Sequence, residues 1–341
     1  MLDQDRDRVV FLVHQNTNSY GSFNFHAKVI SSWLKSHFKV VLIVPKESEF
    51  SRYLAPAVDE TIYLDIVEPS LSARYIYSLI RSAFLILKYK PVALHHLDFY
   101  AWKPSLCVMA RKLGVKTIYE LRTKKTKENI VGELGKGRHL ISISDYVKNI
   151  VTHSGYNGLI ETSLGVVDYE SFQKIHRHRP HIENLGFIGA ISRGKGLHIA
   201  VEAFIELAKS YSDIKLIVGG AVKSIENSNS SLYMQTIQEL IDNSGVSDRI
   251  KFLGHQQDVA EFMDKVDLLL VPSDEEAFGY VNIEAAASGV PVIAPKFGGI
   301  TEAVANMKSG IVVEDNAVAN YVGAIRSLIE SPGTYQSLQT G

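Results

Sequence analysis

Short apolar runs recur along the chain. Each is followed by a polar turn and then a longer stretch with apolar residues at helical spacing. Residues 9–13 form the first run. Residues 23–36 form the first amphipathic stretch, with Phe25, Val29, Ile30, Trp33 and Leu34 in helical register. Residues 40–44, 61–64, 92–94, 117–120 and 139–144 read as further strands, and 71–89 as a long helix. The alternation resumes with strands at 185–188, 215–219, 250–254, 268–271, 290–294 and 311–313. Helices fall at 197–210, 232–243, 257–265, 316–330 and from Gly279 onward. Strand and helix taking turns predicts an α/β protein with doubly wound parallel sheets, whose ligands sit at strand ends.

Composition narrows this picture. A length of 341 residues suggests two domains, each with its own core. Apolar residues make up 46% and the net charge is -1, so no strongly basic nucleic-acid footprint runs over the whole chain. Cys107 is the only cysteine, which leaves no intrachain disulfide and no cysteine zinc cluster. The N-terminal MLDQDRDRVVFLVH matches neither a signal nor a transit peptide, and no apolar run is long enough to span a bilayer. Cytoplasmic placement is the expectation. Residues 176–181, HRHRPH, read as a polar, proline-bearing linker rather than a metal site, since no acid or cysteine accompanies the histidines.

The densest chemistry lies in residues 271–302, VPSDEEAFGYVNIEAAASGVPVIAPKFGGITE. The order is strand end, polar loop, alanine-rich helix, strand and glycine turn. A helix starting near Gly279 points backbone N–H groups and its positive dipole end at an anion. Glu276 before it and Glu284 within it are carboxylates that can accept hydrogen bonds from sugar or ribose hydroxyls. An anion flanked by polyols is the outline of a nucleotide-sugar.

Several features of this string match one family in order: Pro272-Ser273, an acid, Phe278-Gly279, Glu284, the alanine helix, Gly289 to Ile293, and Gly298-Gly299 with Glu302. It resembles the donor site of the retaining glycosyltransferases of family four, the glycosyl transferases group 1. The resemblance implies the GT-B fold: two Rossmann-like, doubly wound parallel-sheet domains facing a central cleft. Residues 163–172, SLGVVDYESF, resemble the family's boundary segment, so the expected domains are 1–168, acceptor-binding, and 169–341, donor-binding. Relatives usually continue into a helix that crosses back over the first domain, and here that part is expected to be missing or shortened.

The resemblance also implies roles. Glu284 would bind ribose, and Glu276 with Phe278 and Gly279 would hold the sugar. The backbone from Gly279 through Tyr280 to Val281, with Lys195, would take the diphosphate charge. Lys195 lies in the glycine turn GAISRGKG, residues 189–196; the family arginine falls at Ala190, and Arg193 is the candidate to replace it. Gly254 and His255 would meet the base. Gly21 stands where relatives have a glycine pair near the phosphates, although Gly-x-Gly-x-x-Gly is absent. His95 or His96 would touch the donor sugar; the register between them is open, and His96 is the catalytic candidate. Glu120, Arg122, Lys124, Lys125 and Lys127 form a charged stretch expected to face an acceptor bearing phosphate or carboxylate, the alternative being a solvated charge run. No metal and no cofactor is expected beyond the nucleoside-diphosphate sugar.

The functional expectation is a retaining hexosyltransferase-type enzyme acting on a carbohydrate or lipid-linked hydroxyl acceptor, in cell-surface polysaccharide or glycolipid assembly. Two alternatives use the same domain pair: a sugar-nucleotide epimerase, or a catalytically weak donor-binding subunit of a transferase complex. Arg74, Arg81 and Lys88 recur every seventh residue on one face of the helix at 71–89, with Tyr75, Tyr77, Phe84 and Tyr89 adding aromatic surface. That face reads as a solvated basic edge or as a contact with the inner face of an anionic membrane.

Overall fold

The computed structural model describes residues 8–14, 22–65, 70–97, 105–122, 139–174, 178–221, 228–274 and 276–340. The chain divides between Val166 and Val167 into two compact units.

Five apolar residues in a row are buried on both sides of a sheet, and this fits parallel pairing. In the first unit β1 (Val9–Val13) is buried throughout and β2 (Lys39–Val44) is buried from its second residue on. α1 (Ser22–Lys35) joins them and packs Ala27 and Leu34 on Val10, Leu12, Val40 and Leu42. α2 (Glu49–Leu54), β3 (Glu60–Tyr63), α3 (Ala73–Tyr89), β4 (Ala93–His96), α4 (Ser105–Lys112), β5 (Lys116–Leu121), β6 (His139–Ser142), α5 (Asp145–His153) and β7 (Leu159–Thr162) follow. The strands pair in parallel in the order β3-β2-β1-β4-β5-β6-β7. α2 is too short to show a period, and its start is instead set by a reciprocal cap between Ser48 and Ser51.

The second unit opens with α6 (Tyr169–Gln173), capped by Asp168. Then come β8 (Asn184–Ile188), α7 (Leu197–Ala208), β9 (Lys215–Gly219), α8 (Ser228–Asp242), β10 (Ile250–Gly254), α9 (Val259–Asp264), β11 (Leu268–Leu270) and α10 (Tyr280–Ala287). β12 (Val292–Pro295), α11 (Ile300–Met307), β13 (Gly310–Val313), α12 (Val318–Glu330) and α13 (Pro332–Leu338) complete it. The parallel order is β10-β9-β8-β11-β12-β13, so strand order reverses between β8 and β11. One face of the sheet packs on α7, α8 and α12, the other on Phe262, Met263, Ala285, Ile300 and Val304. At full burial each Leu or Phe in these layers contributes about 1.5–3 kcal/mol.

Four expectations are corrected. β4 runs on through His95 and His96, which are therefore strand residues on opposite faces. α8 begins at Ser228 rather than in a loop reaching residue 231. The chain does not finish its secondary structure at Glu330; α13 packs Tyr335 into the core, where its hydroxyl donates to Asp267 O at 2.9 Å.

The fourth concerns the expected linker at 176–181. Arg179 within it is fully buried. Its Nε donates to Val266 O at 2.9 Å, Nη1 to Ser288 O at 3.2 Å and Nη2 to Met263 O at 3.1 Å. These carbonyls lie at or just past the C-terminal ends of α9 and α10, where helices leave acceptors and partial negative charge. A buried cation survives only when its donors are filled, and here the planar fork meets three. Gln339 closes the arrangement by accepting from Arg179 N at 3.0 Å and donating to Arg179 O at 2.8 Å. Removing the guanidinium would orphan the carbonyls, so Arg179→Ala should lose about 3 kcal/mol or more of stability. Urea unfolding of the second unit's core should show it, with Arg179→Lys recovering only part, because an ammonium cannot reach all three.

Candidate active site

The reversal of strand order between β8 and β11 is where an open α/β sheet forms a crevice at its C-terminal edge. Three glycine-bearing loops converge there. After β8, residues 189–196 carry a 3₁₀ turn, Arg193–Lys195, that ends on Gly196 at φ +74°. A Cβ on Gly196 would stand 2.0 Å from Pro272 O, in the loop after β11. Asp274 N donates to Gly194 O at 3.0 Å, tying the same two loops. After β12, Gly299 N donates to Glu276 O at 2.9 Å, and a Cβ on Gly298 would stand 2.4 Å from that same oxygen. The glycines are needed for this closeness of backbone to backbone.

The loops bring Lys195 and Glu276 together. The Lys195 ammonium donates to Glu276 Oε1, and Ser273 Oγ approaches the same oxygen at 3.3 Å. Both charged side chains remain partly open to solvent. Arg193, two residues before the lysine, is exposed; its charge acts on His198 and Tyr233, whose hydroxyl accepts from His198 N at 3.0 Å. Burial pulls the His198 imidazole below its usual pKa and pushes the Tyr233 phenol up. Ala190, at the family arginine's place, is half-buried.

α10 starts in the same crevice. Gly279 has φ +83° and offers no side-chain cap, so the first turn presents backbone amides beside Glu276. Asn282 holds the turn by donating through Nδ2 to Gly279 O at 3.0 Å. Phe278 is buried edge-on to Tyr280 at 5.6 Å, and Val281 is half-buried. Glu284, one turn further, is 6% exposed, and burial pushes its carboxyl up to about 7.

The ends of β8, β9 and β10 are laced beside this crevice. Gly220 N donates to Gly254 O at 2.7 Å and Gly189 N to Gly219 O at 2.9 Å. Gly254 has φ +71° and a Cβ there would meet nothing within 4 Å, and His255 next to it is exposed. Open space beside backbone suits a flat group such as a nucleobase.

The site candidates of the first unit are arranged otherwise. Glu120 lies inside β5, as the expected strand at 117–120 has it, but it is 2% exposed rather than part of an open charged stretch. Its Oε2 accepts from Arg122 Nε at 2.8 Å and lies 3.2 Å from His26 Nε2, while Oε1 lies 2.8 Å from His95 Nε2. Burial raises the Glu120 pKa, but Arg122, His26 and His95 outweigh it and hold the carboxyl well below the usual range. Burial lowers the His26 pKa against the pull of Glu120. Arg122 also lies over the Phe23 ring at 4.7 Å, so this pair is buried mutual neutralisation rather than a solvated charge run. Of the two histidines, His95 turns to Glu120, and His96 is fully buried with its ring 6.0 Å from that of Tyr119. Gly21, Lys124, Lys125 and Lys127 lie outside the described residues.

The sequence assigns no role to Asn282, His198, Tyr233 or His26, and names Ser273 only as part of a motif. Asn282 had a signal, since an amide three residues after a glycine can brace the turn that starts a helix. His26 had none, its acid partner being 94 residues away.

A family model described as glycosyl transferases group 1 matches residues 168–340. D-inositol 3-phosphate glycosyltransferase of Segniliparus rotundus is 34% identical over 155 residues, covering 45% of this chain and 33% of that protein. The Mycobacterium marinum protein of the same name is 30% identical over 206 residues, covering 57% and 42%. The chain thus aligns with only about a third to two-fifths of the length of these relatives. Among solved structures, Anabaena Alr3699/HepE in complex with UDP superposes with TM-score 0.78 at 18% identity, covering 98% of this chain and 93% of that one. A glycosyltransferase from Rickettsia africae ESF-5 gives TM-score 0.78 at 18% identity, covering 97% and 91%. The fold is GT-B, and the chain belongs to the glycosyl transferases group 1.

Proposed function

We propose that this protein is a retaining glycosyltransferase that moves a sugar from a nucleoside-diphosphate sugar to a hydroxyl acceptor. The observation that carries the reading is the set of three interlocked loops around Lys195, Glu276 and the uncapped start of α10. Positive charge, backbone amides and hydroxyl acceptors stand together there, the set a sugar diphosphate requires. The UDP complex of the Anabaena neighbour supports the ligand class.

In the proposed step the bond from the sugar's anomeric carbon to the diphosphate oxygen breaks, and the acceptor oxygen bonds to that carbon on the same face. The acceptor's proton goes to the departing diphosphate. Lys195, the α10 amides and Arg193 stabilise the charge that grows on the leaving group. No metal takes part in this route. Donor binding draws Lys195 toward phosphate and frees Glu276 for sugar hydroxyls. Glu284 accepts from the ribose. The acceptor we propose is anionic, met by the basic stretch at Lys124, Lys125 and Lys127, in cell-surface polysaccharide or glycolipid assembly; the inositol phosphate in the names of the relatives supports an anionic acceptor.

Lys195→Ala should lower turnover about 100-fold or more while changing donor affinity less, measured as kcat against donor KM. Equal loss in both would count against the leaving-group role.

Glu284→Ala should weaken free-nucleotide binding about tenfold or more by calorimetry, the worth of a hydrogen bond to a charged group. Its pH dependence has a definite sign. The ionised carboxylate is the better acceptor, so nucleotide affinity should rise as pH passes through about 7. The stability of the free protein should run the other way: the folded carboxyl binds its proton more tightly than the ordinary 4.5, so stability falls as pH climbs from 4.5 to about 7. Glu284→Gln should flatten both trends.

Reversing charge at Lys124, Lys125 and Lys127 should raise the acceptor KM and leave donor hydrolysis unchanged. Parallel losses in both activities would contradict the acceptor assignment.

A further inference from the structure

Helices on a protein surface turn apolar residues inward and polar ones outward. α3 is apolar on both sides: Leu85 and Ile86 are buried, yet a second apolar stripe faces out. Its buried side includes Ser78 and Ser82: Ser78 Oγ donates to Asp65 O at 2.5 Å and meets Ser105 Oγ at 2.6 Å, and Ser82 Oγ donates to Ser78 O at 2.7 Å. Its outer side carries Ile76, Tyr77, Ile80, Phe84 and Leu87, each between 54% and 64% exposed. At 3.6 residues per turn these five fall within a single stripe about 100° wide. Arg74, Arg81 and Lys88 follow one edge of the stripe and are exposed. Arg74 is paired with Asp65 at 2.6 Å, and the helix itself holds no Asp or Glu.

We propose that this face of α3 lies flat on an anionic lipid bilayer. Apolar side chains would enter the boundary between headgroups and acyl chains, and Arg81 and Lys88 would reach lipid phosphates along the edge. The charge pattern selects this occupant. Two copies of the chain joined through α3 would bring basic edges together with no acid in the helix to offset them, whereas an anionic bilayer neutralises the edge along its whole length. The helix lies on the surface rather than crossing it: among the described residues no helix is long and apolar enough to span a membrane. This inference stands apart from the proposed transfer reaction and needs no catalytic residue.

The test is flotation of the full chain with vesicles of phosphatidylcholine alone or mixed with phosphatidylglycerol. Binding should require phosphatidylglycerol and weaken with salt. The double variant Ile80→Ser, Phe84→Ser and the double variant Arg81→Glu, Lys88→Glu should each lower the partition coefficient about tenfold or more. Both pairs are exposed, so unchanged thermal melting would certify the fold. A wild-type chain that ignores anionic vesicles would overturn the proposal, as would folded variants that bind them like wild type. Sedimentation showing a dimer that the same substitutions dissociate, without vesicle binding, would overturn it in favour of a second copy.

Discussion

The second unit depends on backbone meeting backbone at van der Waals distance. Pro272 O occupies the space a side chain on Gly196 would need, and Glu276 O does the same opposite Gly298. Those contacts bring the loops after β8, β11 and β12 into one crevice. Lys195 and Glu276 come from loops 81 residues apart and still form an ion pair. Any residue with a Cβ at Gly196 or Gly298 would push the loops apart and separate the charges. The meeting of Lys195 with Glu276 therefore rests on packing before it rests on electrostatics.

The parts legible in the sequence were those encoded locally. The run of buried apolar residues in β1 and β2, the glycine start of α10 and the order of motifs in residues 271–302 are each a matter of neighbours in the chain. Less legible was whatever depends on distant partners. Arg179 looks like part of a polar linker because its acceptors are main-chain carbonyls, which leave no mark on the residues that carry them. Glu120 reads as part of an acceptor-facing charged stretch because lysines follow it, yet β5 carries it inward to His26 and His95. The two histidines of β4 could not be told apart without knowing that the strand continues through both.

The first unit thus holds a different kind of polar centre from the second. Around Glu120, one acid is enclosed by two imidazoles and a guanidinium, and little is open to solvent. Removing Arg122 from such a group would leave the Glu120 carboxylate uncompensated in a dry place. In the second unit the charged pair is partly open and braced by loops, the condition a ligand needs in order to enter and exchange partners.

The Lys195–Glu276 pair has a further meaning in this light. With no substrate at hand, the acid acts as a resident counterion, so the lysine need not wait as a bare charge that would capture stray phosphate from solution. A diphosphate alone must compete with that carboxylate and gives it nothing in return. In the proposed donor complex, a sugar diphosphate would bring hydroxyls to take up the displaced acid. If Lys195 and Glu276 hold the donor as proposed, the contact that quiets the empty crevice would favour the complete donor over its spent product.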